Sequence, residues 1–177
     1  AEKGGQIGDT GMISHEGAVF VVDDCYSPVS NVIVHHGKLQ SGTFILSEPV
    51  RAVVDEKRRV KIECNHTATH LLNYALEKVI GGHIRQAGSY VSPDELRFDF
   101  SHQKRLSPNE LQHIEQLVNA AIREDTDVKS EEIEYEKAQA RTDIKQFFGD
   151  KYGRVVRMVS AGPSKELCGG THISSTG

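Results

Sequence analysis

Two pairs of metal-binding side chains, far apart in the chain, constrain this sequence more than any other feature. Asn65-His66-Thr67-Ala68-Thr69-His70 carries two imidazoles four positions apart, a spacing that puts both on one face of a helix. Cys168-Gly169-Gly170-Thr171-His172 offers a thiol and a third imidazole at the same spacing. Each pair is half of a four-ligand site, so a chain that uses both must fold its C-terminal loop back onto an interior helix.

Three imidazoles and one thiolate are borderline-soft ligands, a set that suits zinc better than magnesium or calcium. A metalloprotease helix carries Glu directly after its first His, as base for the metal-bound water; here that position is Thr67. A Cys2His2 zinc finger needs two cysteines close together and a much shorter ligand span. Two uses stay open. Four protein ligands favour a structural clamp, whereas a weakly bound or outer-sphere His172 opens a position for water or substrate. Gly169-Gly170 fits either use, since glycine backbone free to take positive φ lets a loop wrap a metal.

The 177 residues suffice for one domain or two small ones, and 37% hydrophobic with 26% charged residues is ordinary for a globular protein. Cys25, Cys64 and Cys168 are an odd number, read as reduced thiols in a chain showing no secretory leader. No apolar run approaches the roughly 18 residues of a membrane span, and a cytoplasmic location is the default expectation. The net charge of −4 does not mark a nucleic-acid binder. Local basic clusters exist at Lys57-Arg58-Arg59 with Lys61, at Gln103-Lys104-Arg105, and at Lys151 with Arg154 and Arg157. The absence of an initiator methionine suggests a fragment of a larger protein.

Residues 1–60 read as short strands and turns and predict a small β-barrel or sandwich. Gly4 to Gly11 is turn chemistry, and Ala18–Val22, Val32–Val34 and Pro49–Val54 are β-branched runs. A last strand over residues 60–64 is expected to lead into a helix capped by Asn65 and stopped by Gly81-Gly82. On that helix Leu71, Leu72, Ala75, Leu76, Val79 and Ile80 form the apolar side, with His66, His70, Asn73 and Glu77 opposite. Ile84–Val91 and Leu96–Phe100 predict a hairpin, and Ser107-Pro108-Asn109-Glu110 is a capping box opening a second helix. Val128–Tyr135 and Arg154–Val159 are strand candidates, with a shorter helix over Lys137–Phe148. Mixing without a βαβ repeat argues for a mixed or antiparallel α+β sheet over residues 61–177.

The stretches Ala1-Glu2-Lys3-Gly4-Gly5-Gln6 and Gly8-Asp9-Thr10-Gly11, Asn65 to Leu72, Gln86-Ala87-Gly88-Ser89, Leu96-Arg97-Phe98-Asp99-Phe100 and Glu166 to His172 together resemble the editing region of alanyl-tRNA synthetases and the freestanding AlaX trans-editing proteins. The resemblance runs the length of the chain. It implies a β-barrel followed by an α+β editing domain that hydrolyses serine or glycine wrongly attached to alanine tRNA, with the acceptor end of tRNA(Ala) as partner and ATP binding only in a full-length synthetase. It further implies Zn2+ on His66, His70, Cys168 and His172, and matches Gln86 to a glutamine of the editing pocket, with Gln6 a further pocket candidate. Thr67, Thr69, Gln86 and Thr171 are the groups expected to sense a serine hydroxyl, and Gly169 and Gly170 line the substrate. Editing in cis within a synthetase, editing in trans, and a non-catalytic tRNA-binding module with structural zinc are the alternatives.

Overall fold

The computed structural model describes residues 4–29, 32–146 and 153–177. Its first part is a four-stranded antiparallel sheet built from β1 (Gly11–His15), β2 (Ala18–Val29), β3 (Val32–Ser41) and β4 (Arg51–Val54), ordered β3-β2-β1-β4. The β1–β2 hairpin turns on Glu16 and Gly17, at φ 41° and 86°, the paired positive values of a two-residue turn whose twist matches its strands. Among the described residues no ladder joins the outer strands β3 and β4, so the expected barrel is met as far as an antiparallel sheet. The strand β1 escaped the sequence pattern because Gly11-Met12-Ile13-Ser14-His15 lacks a β-branched run.

Helix α1 (Glu56–Ile80) begins nine positions before the predicted cap at Asn65. The strand expected over residues 60–64 is the start of this helix: Asp55 caps it by accepting from the backbone N–H of Arg58, and Lys57, Arg58, Arg59 and Lys61 are good helix formers. The alternation of Val60, Ile62 and Cys64 is too short to establish a period of two, and only Ile62 of the three is buried. Asn65 instead donates its side-chain amide to the Ser92 carbonyl at 2.8 Å. Gly81 ends the helix as predicted, at φ 122°.

One side of α1 packs Ala75 and Leu76 with Ile84, Ile114 and the rings of Phe98 and Phe100. These come from the hairpin β5 (Gln86–Val91) and β6 (Leu96–Phe100), and from α2 (Pro108–Arg123), whose Ser107–Glu110 capping box forms as predicted. The other side of α1, bearing Ile62, His66, Thr67, His70 and Asn73, is equally buried. A third unit covers part of it: β7 (Val128–Glu134), the five-residue helix α3 (Tyr135–Gln139), β8 (Val155–Ala161) and β9 (Ser164–Leu167), with sheet order β7-β8-β9. The helix expected over residues 137–148 is confined to α3; residues 147 and 148 lie outside those described. The strand β9 was not anticipated; Gly162, at φ 52°, turns β8 back into it. The α+β class with antiparallel sheets holds throughout, and among the described residues no helix is long and apolar enough to cross a membrane.

Candidate metal centre

His66 and His70 sit one turn apart on the buried side of α1, and Cys168 follows directly on β9, so the end of the third sheet delivers the loop 168–172 to the helix. The result is a cluster of His66, His70, Cys168 and His172 whose ligand atoms all lie within 4.8 Å of one another. Nε2 of His66 is 3.3 Å from Cys168 Sγ, and Nε2 of His172 is 3.5 Å from it. The four side chains predicted from two distant pairs therefore converge.

Neighbouring groups orient the rings. Nδ1 of His66 donates to Gln6 Oε1 at 2.8 Å, which leaves Nε2 as the lone-pair nitrogen facing the cluster. Nδ1 of His172 pairs with the Thr67 hydroxyl at 3.2 Å, and when that hydroxyl accepts, Nε2 of His172 takes the same role. His70 differs: Nδ1 is buried with no hydrogen-bond partner among the described residues, and Nε2 lies 3.6 Å from Glu166 Oε2. An orphaned ring nitrogen beside a buried thiol and two further imidazoles suits a soft divalent ion, and the donor set fits zinc.

Burial and then the neighbouring positive groups push the His66 and His70 pKa values down to about 3, and burial followed by the adjacent histidines depresses His172 further. All three rings are neutral at pH 7, the form that ligates metal.

Space, rather than backbone freedom, explains the glycines. A Cβ on Gly170 would stand 2.1 Å from His66 Cε1, so the loop crosses the imidazole at a distance only glycine permits. Gly170 does not take positive φ, contrary to the sequence expectation for it. On the opposite side Gly4, at φ 65°, passes close to both His66 and Cys168.

Gln6 is fully buried, and besides His66 its Oε1 accepts the Thr171 backbone N–H at 3.0 Å and the Thr171 hydroxyl at 3.2 Å. Thr69 donates to the Asn65 carbonyl at 2.8 Å, the backbone role expected of a helical hydroxyl. Gly169 is exposed in the loop, and Gln86 stands half-buried at the start of β5, beside a bulge in its pairing with β6. Among the described residues no side-chain hydrogen bond ties Gln86 to the cluster.

Three supports were not read from the sequence. Arg157 spans from β8 to the loop 168–172, donating to the carbonyls of Gly170 at 2.5 Å and Cys168 at 3.3 Å. Arg59 forks onto Asp9 at 2.6 and 2.5 Å and Arg58 donates to the Gly8 carbonyl at 2.8 Å, fastening the Gly-rich segment to α1. Glu166 is buried, its Oε1 accepting from Asn73 at 2.9 Å and from Ser164 at 3.1 Å. Apart from the Ser164 contact, each pairing joins residues eleven or more positions apart, invisible to a local pattern.

The sequence itself matches known proteins. Residues 1–58 match the family described as tRNA synthetases class II (A). The full 177 residues align with alanine–tRNA ligase of Chlamydia muridarum (strain MoPn / Nigg) at 53% identity and of Chlamydia pneumoniae at 51%, in each case covering 100% of this chain and 20% of the relative. The enzyme of Anaeromyxobacter sp. (strain Fw109-5) is 46% identical over 99% of this chain and 19% of its own length. The chain is homologous to a segment of alanine–tRNA ligase, spanning about one-fifth of the relatives it matches.

Proposed function

We propose that this chain is the editing segment of an alanine–tRNA ligase: a zinc-dependent esterase that removes serine or glycine from mischarged tRNA(Ala). The observation that carries this reading is the convergence of His66, His70, Cys168 and His172 in a chain homologous to that ligase. The chemical need is plain. A pocket shaped for alanine cannot strongly exclude glycine, one methyl smaller, or serine, one hydroxyl larger, and a second hydrolytic site supplies the missing discrimination.

Zinc held by these side chains would supply Lewis acidity and, where His172 leaves a position open, an anchoring point for the aminoacyl group. The chain's own residues do the rest. Gln6 and Thr67 hold two imidazoles so that Nε2 is presented to the cluster, and the three buried rings are neutral at pH 7. The reaction adds water to the ester between the aminoacyl carbonyl and the terminal ribose, and releases amino acid and intact tRNA. Thr67, Thr69, Gln86 and Thr171 are the groups assigned to a serine hydroxyl; of the four, Gln86 has both ends of its amide unengaged among the described residues.

The two-part organisation, residues 1–60 and 61–177, belongs to the same proposal, with α1 bridging the boundary. So do a cytoplasmic location and contact with the tRNA acceptor end by phosphate and shape. Of the basic clusters, Arg58, Arg59 and Arg157 are engaged internally, which leaves exposed Lys57, Lys61, Lys104, Arg105 and Arg154 as cations for phosphates. A freestanding enzyme acting in trans would use the same site.

The rival is a tRNA-binding module whose zinc is a structural clamp, which a closed set of four protein ligands favours. Assaying the chain on seryl-tRNA(Ala) with and without chelator separates them. Turnover that disappears with the metal and returns with zinc supports the esterase; no turnover, with tRNA binding and metal-dependent melting intact, supports the clamp.

A further inference from the structure

Glu166 is the buried carboxyl group that the proposed chemistry leaves unused. It is 2% exposed, on β9 two residues before Cys168, and its carboxyl group meets α1 at His70 and Asn73. Its two oxygens are not equivalent. Oε1 is occupied twice, by the Asn73 amide and the Ser164 hydroxyl, whereas Oε2 faces His70 Nε2 at 3.6 Å. Asn73 and His70 lie three positions apart on α1, so both project from the same side of the helix toward this carboxyl group.

His70 shows the complement. Nε2 points at Glu166, and Nδ1, buried and without a partner among the described residues, is the nitrogen left over. His66 and His172 have the reverse arrangement, each using Nδ1 for a protein partner and turning Nε2 toward Cys168. Metal-bound imidazoles characteristically hand their second nitrogen to an oxygen acceptor, which fixes ring and tautomer.

We propose that Glu166 is a positioning residue for the metal: it holds the Nε2–H of His70, so that His70 ligates through Nδ1 while His66 and His172 ligate through Nε2. Asn73 and Ser164 orient the carboxyl group by occupying its other oxygen. The site is then one of mixed imidazole attachment, with three different residues, Gln6, Thr67 and Glu166, each fixing one ring. The proposal rests on zinc occupying the four-residue cluster.

The experiment is long-range ¹H–¹⁵N NMR of the histidine rings in the zinc-loaded chain, with zinc affinity measured by chelator competition for the parent, Glu166→Gln and Glu166→Asp. The expected spectrum has the His70 proton on Nε2 and the His66 and His172 protons on Nδ1. Glu166→Gln keeps an oxygen for Asn73 and Ser164 but can turn a donor toward His70, and it is expected to weaken zinc binding about 10–100-fold. Glu166→Asp is expected to recover part of that loss. A His70 proton on Nδ1, or parental zinc affinity in Glu166→Gln, overturns the proposal. Should Glu166→Gln fail to fold by circular dichroism, the proton position in the parent spectrum still decides. A parent chain that takes up no zinc refutes the metal centre itself, an outcome distinct from zinc bound with the other nitrogen of His70.

Discussion

Gln6 Oε1 lies 2.8 Å from His66 Nδ1, so a residue in the first described turn of the chain orients an imidazole sixty positions later. The same oxygen accepts both donors of Thr171, which ties the Gly-rich segment, α1 and the C-terminal loop together at one atom. Gln6→Ala removes that acceptor while its three donors stay in place. Equilibrium denaturation is expected to show a loss of about 1–3 kcal/mol, the usual cost of stranding buried polar groups. Zinc affinity should fall with it, because the His66 tautomer is no longer held.

Gly170→Ala forces a methyl group to within 2.1 Å of the His66 ring. Either the imidazole leaves the cluster or the loop lifts from α1. Zinc stoichiometry is expected to fall well below one per chain with far-UV circular dichroism unchanged. Gly82→Ala is the control: its Cβ meets only Glu77 Oε1, at 3.6 Å, an ordinary contact, and the variant should bind zinc as the parent does.

Much of this site was legible because its ligands obey a local rule. The i, i+4 spacing of His66 and His70 needs only a helix to align them, and Cys168 and His172 repeat that spacing in a loop. The apolar side of α1 and the capping box at Ser107 followed from periodicity and cap chemistry in the same way. What escaped depends on contacts between distant segments. Three alternating residues, Val60, Ile62 and Cys64, imitate a strand, and only the Asp55 cap and the burial of Ile62 against the rest of the fold reveal a helix. Gly170 was read for its φ when its reason is the ring of His66. Arg59, Arg157 and Glu166 carry no local signature at all: each looks like surface charge until its partner, Asp9, the metal-loop carbonyls or His70, is brought up to it.

Arg157→Gln takes the guanidinium away from the Gly170 and Cys168 carbonyls. The loop loses its tether to β8 while every metal ligand is retained. Zinc is expected to dissociate faster in stopped-flow chelator experiments, and Arg157→Lys, a point charge without the planar fork, should recover only part of the parental rate.

The pH dependence of the metal-free chain follows from its buried rings. His66 and His70 stay neutral in the folded state down to about pH 3, whereas the unfolded chain protonates them near 6.5. The unfolded state therefore binds more protons between those values, so this contribution to stability is complete above pH 6.5 and is lost as the pH falls toward 3. His172, also depressed, acts in the same direction. Glu166 opposes them: burial raises its pKa from 4.5 to about 7, so its contribution declines as the pH rises through that interval. Three groups against one predict a net loss on acidification, read as a lower urea midpoint at pH 5 than at pH 7.5. A midpoint that rises on acidification contradicts the neutral, buried state of the three rings.

Deacylation of seryl-tRNA(Ala) by the Cys168→Ala variant is the decisive test of a zinc-dependent esterase. Cys168 supplies the sulfur between His66 and His172, and its removal breaks the donor set without removing any group assigned to the serine hydroxyl. A zinc-dependent esterase requires that the zinc-loaded parent hydrolyse the ester and that Cys168→Ala, folded by circular dichroism, lose at least about tenfold in single-turnover rate, the lower end of what a disrupted metal shell costs. A folded Cys168→Ala variant that deacylates seryl-tRNA(Ala) at the parental rate contradicts it.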